Sequence, residues 1–201
     1  MSSIWDPAFR LVLDSGSSTR RRLLAAAGLP FETRAPNVDE RAIESILAPS
    51  ADVALTLARA KALAVSAETP DSLVLGADQV LALGGSIIHK SHTRDEALQT
   101  LTSLSGNTHR LTSAFALARG GRVIAFGADT AELTLRAMDE SQLRLYLDAA
   151  GDGVLGSVGV YQWEGFGMHL FEKVAGDHTT ILGLPMLKLL AALRELGALK
   201  L

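Results

Sequence analysis

The chain has 201 residues, 48% of them hydrophobic, enough for one substantial domain or a domain with a smaller lobe. Its 19 basic and 22 acidic side chains leave a net charge of −3, which argues against a polymeric nucleic-acid or membrane-surface binder and makes any cationic site a local one. Cysteine is absent, excluding disulfide frameworks, zinc–thiolate sites and thiol catalysis; with no secretory leader pattern and no apolar run of roughly 20 residues, a soluble cytoplasmic protein is expected.

Residues 9–13 read as a short buried strand. It runs into Ser15-Gly16-Ser17-Ser18-Thr19 and three arginines, Arg20 to Arg22, which open a helix stopped by Gly28 and Pro30. Cations at a helix N-terminus oppose its dipole, so an anion should compensate, and the small residues offer hydroxyl and backbone donors for one. A capped surface helix with solvated arginines is the plain alternative. Successive helical residues point about 100° apart, so the three arginines cannot share one ligand, and these residues alone do not choose among them. The Gly-Lys-Ser/Thr ending of a Walker loop is absent.

An extended stretch carrying Asp39 and Glu40 follows, and the spacing at 51–67 predicts a helix with Lys61 on an otherwise apolar face. Residues 71–83 read as a strand in which Asp78 and Gln79 interrupt apolar neighbours. Gly84-Gly85 turns it into a hairpin ending at Lys90. A helix is expected at 94–104, then two long strands turned at Gly120-Gly121, then a helix from Asp139 with Gln142 three residues on as a capping box. A glycine-rich stretch to residue 167 contains "GVYQWEGFG"; a strand at 168–174, a "GDHTTILGLP" loop and a terminal helix complete the chain.

Strands and helices mix without strict alternation, so the expectation is α/β: a mixed twisted sheet flanked by helices. Residues 1–201 would form a single domain, one compact unit that could divide into two lobes around a cleft. Asp78 at a strand end suits a metal ligand or general base and would equally cap a bend. Lys61 and Lys90 taken singly would carry their heads to water. Acids and cations from separated segments are also what a metal-assisted phosphate enzyme requires. Glu164, among glycines and aromatics, would hydrogen-bond a base edge or simply sit on a turn.

These segments, in this order, resemble the Maf family of nucleoside triphosphate pyrophosphatases: "LVLDSGSSTRRRLLAAAGLPFE", "APNVDE", "LARAKA", "VLGADQVLAL" with Lys90, "LSGNTHRLTSA", "GVYQWEGFG" and "GDHTTILGLP". The resemblance spans essentially the whole chain. It implies hydrolysis of normal or modified nucleoside triphosphates to monophosphate and pyrophosphate with a divalent cation, Mg2+ or Mn2+. It also implies a homodimer and a link to cell-division arrest. By motif position Asp78 is the acid that activates water and Glu40 the second acid, both partners of the metal. Ser15, Arg20, Lys61 and Lys90 are implied for phosphate, and Thr19, Gln79 and Glu164 for base choice.

The pattern departs from the family at Ser18 and Thr19, which replace Pro and the first Arg, and at Asp14, where a small residue is usual. Gln79 and Glu164 look like the branch acting on 7-methylated guanosine triphosphate, while Thr19 belongs to neither branch. The altered loop favours one alternative, a non-catalytic nucleotide-binding regulator of cell division; a house-cleaning pyrophosphatase of the inosine-triphosphate type is a second, since a similar architecture would serve both reactions.

Overall fold

The structure is a computed structural model in which residues 4–34 and 50–201 are described. Seven strands form a mixed sheet flanked by helices. They are β1 (Leu11–Asp14), β2 (Glu32–Arg34), β3 (Leu73–Leu83), β4 (Ser86–Ile88), β5 (Thr108–Arg119), β6 (Arg122–Leu135) and β7 (Phe171–Ala175). Their order is β2-β1-β3-β5-β6-β7, with β4 on β3. Strand β1 is parallel to β2 and β3, whereas β3–β4 and β6–β7 are antiparallel, so the expected mixed α/β class holds.

The helices are α1 (Ser18–Ala26), α2 (Ser50–Glu68), α3 (Arg94–Leu104), α4 (Glu140–Ala150), α5 (His178–Ile181) and α6 (Met186–Glu195). Local chemistry explains their ends. Ser17 caps α1, Thr93 caps α3, and Asp139 with Gln142 forms the expected capping box on α4. Two expectations are corrected. Part of the "GDHTTILGLP" loop is helical, as α5, and residues 166–170 form a 3-10 turn, so the strand expected from residue 168 starts at Phe171. Among the described residues no helix is long and apolar enough to cross a membrane.

The described residues divide into two compact units. The first holds those up to Gln79 with Thr112–Asp129 and His178–Leu201; the second holds Val80–Leu111 and Thr130–Asp177. In the first, β1 and β3 are buried on both faces, as parallel strands are. Odd-numbered residues Leu11, Leu13, Leu73, Leu75 and Ala77 join a core with Leu24 of α1 and Leu189 and Leu193 of α6. Even-numbered Val12 and Val74 pack with Val65 of α2 on the other face. The second unit buries Leu101 and Leu104 of α3, Leu143 and Leu147 of α4, and Leu133 and Leu135 of β6.

Helix α2 lies unusually close to β3. A side chain at Gly76 would strike the Ala58 carbonyl and the Ala62 amide, which belong to the helix backbone itself. Glycine on the strand and alanines on the helix permit this approach, the usual meaning of glycine inside a strand. Gly76→Ala should therefore cost about 1–3 kcal/mol through overpacking. Gly153, with nothing within 4 Å of the equivalent position, should tolerate alanine. Urea unfolding of the two variants checks this, with equal midpoints refuting the close contact.

Candidate active site

Strand β1 ends at Asp14, and Ser15-Gly16-Ser17 leads directly into α1. The turn is tied internally: the Ser17 amide donates to Ser15 Oγ (3.1 Å), and the Arg20 amide donates to Ser17 Oγ (3.3 Å). Ser15 is buried. The structure distinguishes the three arginines, for Arg21 and Arg22 are exposed while Arg20 turns inward. Arg20 Nε donates to the Gly183 carbonyl (2.8 Å), and Nη1 donates to the Ala77 carbonyl (2.9 Å) and to Ser15 Oγ (3.2 Å). A guanidinium held in this way loses little further freedom when it meets an anion, which suits a phosphate-binding arginine.

On the opposite face of the sheet Lys61 of α2 reaches Asp78 of β3, Nζ to Oδ1 at 2.5 Å, with both residues buried. The helical face expected to carry the ammonium to water instead carries it inward, because Gly76 lets α2 settle against the strand. Asp14 is fully buried and pairs in register with Gly76, two residues before Asp78, so by strand alternation both carboxylates lie on the α2 face. The arrangement stands at the carboxyl end of β1, where its parallel pairing with β3 stops, and open α/β sheets bind ligands at the carboxyl ends of parallel strands.

Gln79, next along β3, points to the Arg20 face. Its Nε2 lies 3.1 Å from Ser113 Oγ, 3.1 Å from the Thr180 carbonyl and 3.0 Å from the Ile181 carbonyl. Gly183 (φ 98°) separates Gln79 from Arg20: a side chain built there would come within 3.6 Å of both Gln79 Oε1 and Arg20 Nε. Ser15, Arg20 and Gln79 are thus gathered around one glycine on one face, and Lys61 and Asp78 pair on the other. Thr19 sits half-buried in the first turn of α1. Glu40 lies outside the described residues.

Lys90 and Glu164 belong to the second unit, and both are exposed. The motif around Glu164 is built on a constrained backbone. Val160 has φ 60°, a region that β-branched residues seldom adopt, and its carbonyl accepts from the Tyr146 hydroxyl at 3.0 Å. A side chain at Gly159 would fall 2.6 Å from Leu81 Cδ1 and from the Tyr161 ring. Tyr161 is buried and shares a 2.7 Å hydrogen bond with His109 Nε2, while Trp163 packs edge-on against Phe171. The tyrosine of "GVYQWEGFG" therefore serves this unit's core, and the half-buried Trp163 packs at its margin. Burial alone pushes the His109 imidazole down to about 4, and its Nδ1 has no hydrogen-bond partner among the described residues. Burial first, then the neighbouring Tyr146, holds the Tyr161 phenol well above its ordinary range.

Sequence reasoning passed over Ser113, Thr180 and Gly183. They lie inside quoted segments, "LTSA" and "GDHTTILGLP", but serine, threonine and glycine in loop-like text give no sign of which side chain they will meet.

A fixed guanidinium beside a serine turn, with a buried acid–lysine pair on the other face of the sheet, gives an α/β protein groups able to meet a phosphate. The sequence pattern of the family described as "Maf-like protein" matches residues 10–196, so the chain belongs to this family. It is 50% identical over 194 residues to a protein of Bradyrhizobium diazoefficiens named nucleoside triphosphate pyrophosphatase, covering 96% of each chain. It is 49% identical over 194 residues to a Rhizobium johnstonii protein named 7-methyl-GTP pyrophosphatase, covering 94% of this chain and 98% of that one. A Brucella abortus protein with the second name is 46% identical over 190 residues, covering 92% and 96%.

Removing one partner of a buried ion pair strands the other charge, so Lys61→Met should destabilise the protein by about 3–5 kcal/mol. Adding Asp78→Leu should recover much of that loss. Chemical denaturation of both variants checks this, and a harmless Lys61→Met would show that Asp78 needs no cation. His109 gives a pH dependence. Its folded value near 4 lies below the ordinary 6.5, so the unfolded chain binds the proton first as pH falls. Stability should be complete above pH 6.5 and fall toward pH 4, by about 2 kcal/mol between pH 7 and 5. An equally steep loss in a His109→Gln variant would remove this histidine as the cause.

Proposed function

We propose that the chain hydrolyses nucleoside triphosphates to monophosphate and pyrophosphate. The observation that carries the reading is the buried Lys61–Asp78 pair beside the carboxyl end of β1, two residues along β3 from the last pairing with it, in a family whose curated relatives are named for this reaction. Asp78 would accept the proton of a water whose oxygen forms a bond to the α-phosphorus. The bond from the α-phosphorus to the bridging oxygen then breaks, and pyrophosphate leaves with that oxygen's electron pair. Lys61, rather than reaching phosphate directly, would hold Asp78 in one orientation. Arg20, fixed by Ser15, Ala77 and Gly183, would face the phosphates, with Ser15 closing the turn beneath them. Lys90 would add phosphate charge compensation, and Thr19, Gln79 and Glu164 would set the base. The relatives' names make 7-methyl-GTP the first nucleotide to try.

Among the described residues no three His, Cys, Asp or Glu side chains come together as a metal cage. The donors that are present still fit a divalent ion, because Mg2+ is commonly held by one or two carboxylates together with substrate phosphates. Asp78 and Glu40 are the residues that would hold Mg2+ or Mn2+. Such an ion, when bound, would draw negative charge from the phosphoryl oxygens and the departing pyrophosphate.

Pyrophosphate release from 7-methyl-GTP, GTP, ITP, UTP, dTTP and CTP, with metal or chelator, tests the reading. Asp78→Asn should lose at least about 100-fold in kcat while nucleotide binding persists, the scale of a lost general base. Wild-type turnover in that variant would overturn the role of Asp78. Binding of nucleotides without release of product by the natural protein would overturn the enzyme reading.

A further inference from the structure

We infer that Gln79 meets its ligand only as a hydrogen-bond acceptor, through Oε1, that this selects a base presenting a ring N–H, and that Thr180, anchored by Asp129, is the positioning residue that enforces it. The inference rests on the nucleotide reading above and deepens it. Two carboxamide orientations are open to a glutamine in general, and the surroundings choose between them. Nε2 lies against two main-chain carbonyls, Thr180 at 3.1 Å and Ile181 at 3.0 Å. The third neighbour, Ser113 Oγ, donates its own proton to the Thr180 carbonyl at 2.7 Å, so it offers Gln79 a lone pair. Turning the amide over would set Oε1 against two carbonyl oxygens. Both amide protons are thereby committed to the protein.

The carbonyls are held in place. Thr180 is fully buried, and its Oγ1 donates to Asp129 Oδ2 at 2.8 Å. Asp129 Oδ1 accepts from Lys188 Nζ at 2.7 Å, which also donates to the Ala128 carbonyl at 2.6 Å. The chain of bonds runs from α6 through the middle of β6 to α5, and then to Gln79 on β3. Oε1 itself accepts no hydrogen bond from a described residue and is not sealed from solvent. It stands beside Gly183, where the missing side chain keeps the space next to Arg20 open.

A lone acceptor in a fixed position favours a donor edge. Guanine and hypoxanthine present N1–H, and methylation at N7 draws electron density from the ring and makes N1–H the stronger donor. A nucleotide methylated at N1 has lost that proton and sets a methyl group against Oε1. Where a site is built to hydrogen-bond one group, the analogue lacking it is penalised because a desolvated polar atom is left unpaired.

The test compares GTP, 7-methyl-GTP and N1-methyl-GTP on the full chain and on Gln79→Met, Thr180→Val and Thr180→Ser. For the natural protein, N1-methylation should lower kcat/KM about 10-fold or more relative to GTP. That ratio should fall near one in Gln79→Met and toward one in Thr180→Val, and Thr180→Ser, which keeps the hydroxyl, should restore it. With 7-methyl-GTP, kcat/KM should also decline at lower pH than with GTP, since the methylated ring loses N1–H more readily. Equal rates for GTP and N1-methyl-GTP, or an unchanged ratio in Gln79→Met, overturn the acceptor; an unchanged ratio in Thr180→Val overturns the anchor. If no nucleotide is hydrolysed, calorimetric binding of the same three decides. Discrimination in binding keeps the inference and sinks the hydrolase reading; binding without discrimination, or none at all, sinks the inference. Hydrolysis without discrimination does the reverse.

Discussion

An ammonium and a carboxylate drawn together out of water, Lys61 on Asp78, form the buried ion pair that α2 and β3 of the first unit build between them. Both charges lose hydration on burial, and their attraction offsets that loss only if the geometry is good. The geometry comes from backbone: Gly76 has no side chain, Ala58 and Ala62 have small ones, and α2 can therefore lie close enough for a lysine to end at the strand instead of beyond it. A well-packed apolar pair would hold this place at least as firmly, so stability alone gives no reason for charges here.

Strand alternation then separates what the sequence places side by side. Asp78 and Gln79 are consecutive, yet one joins Lys61 on the α2 face and the other joins Arg20 on the α1–α6 face. Arg20 bridges the division at the main chain, donating to the carbonyl of Ala77 just before the acid. Asp78 and Gln79 thus share one strand while facing opposite ways, and each is held by its own partners. The buried network behind Gln79 has a further effect: hydrogen bonds that are fully matched inside a protein favour one arrangement over its near alternatives.

The second unit shows how a motif can serve two purposes. In "GVYQWEGFG", Tyr161 turns into the core to meet His109 while Glu164 faces solvent. The left-handed Val160 just before Tyr161 is an uncommon backbone state, retained where neighbours over-determine it, here Tyr146 on its carbonyl and the closely packed Gly159 before it.

Much was legible in the residues themselves. Apolar periodicity gave the mixed strands and helices, and Ser17, Thr93 and Asp139 announced helix starts, because capping and periodicity act within a few residues. The motif order was enough to carry the family. The sequence by itself therefore determined the elements and the kinds of side chain available. Tertiary structure decided which arginine turns inward, where Lys61 ends, which way the Gln79 amide faces and that His109 is buried. Those outcomes rest on partners far away in the chain, as with Arg20 and Gly183, 163 residues apart. Local propensity has no term for such a contact; only the folded sheet, by bringing the segments together and excluding water, makes one arrangement the favourable one.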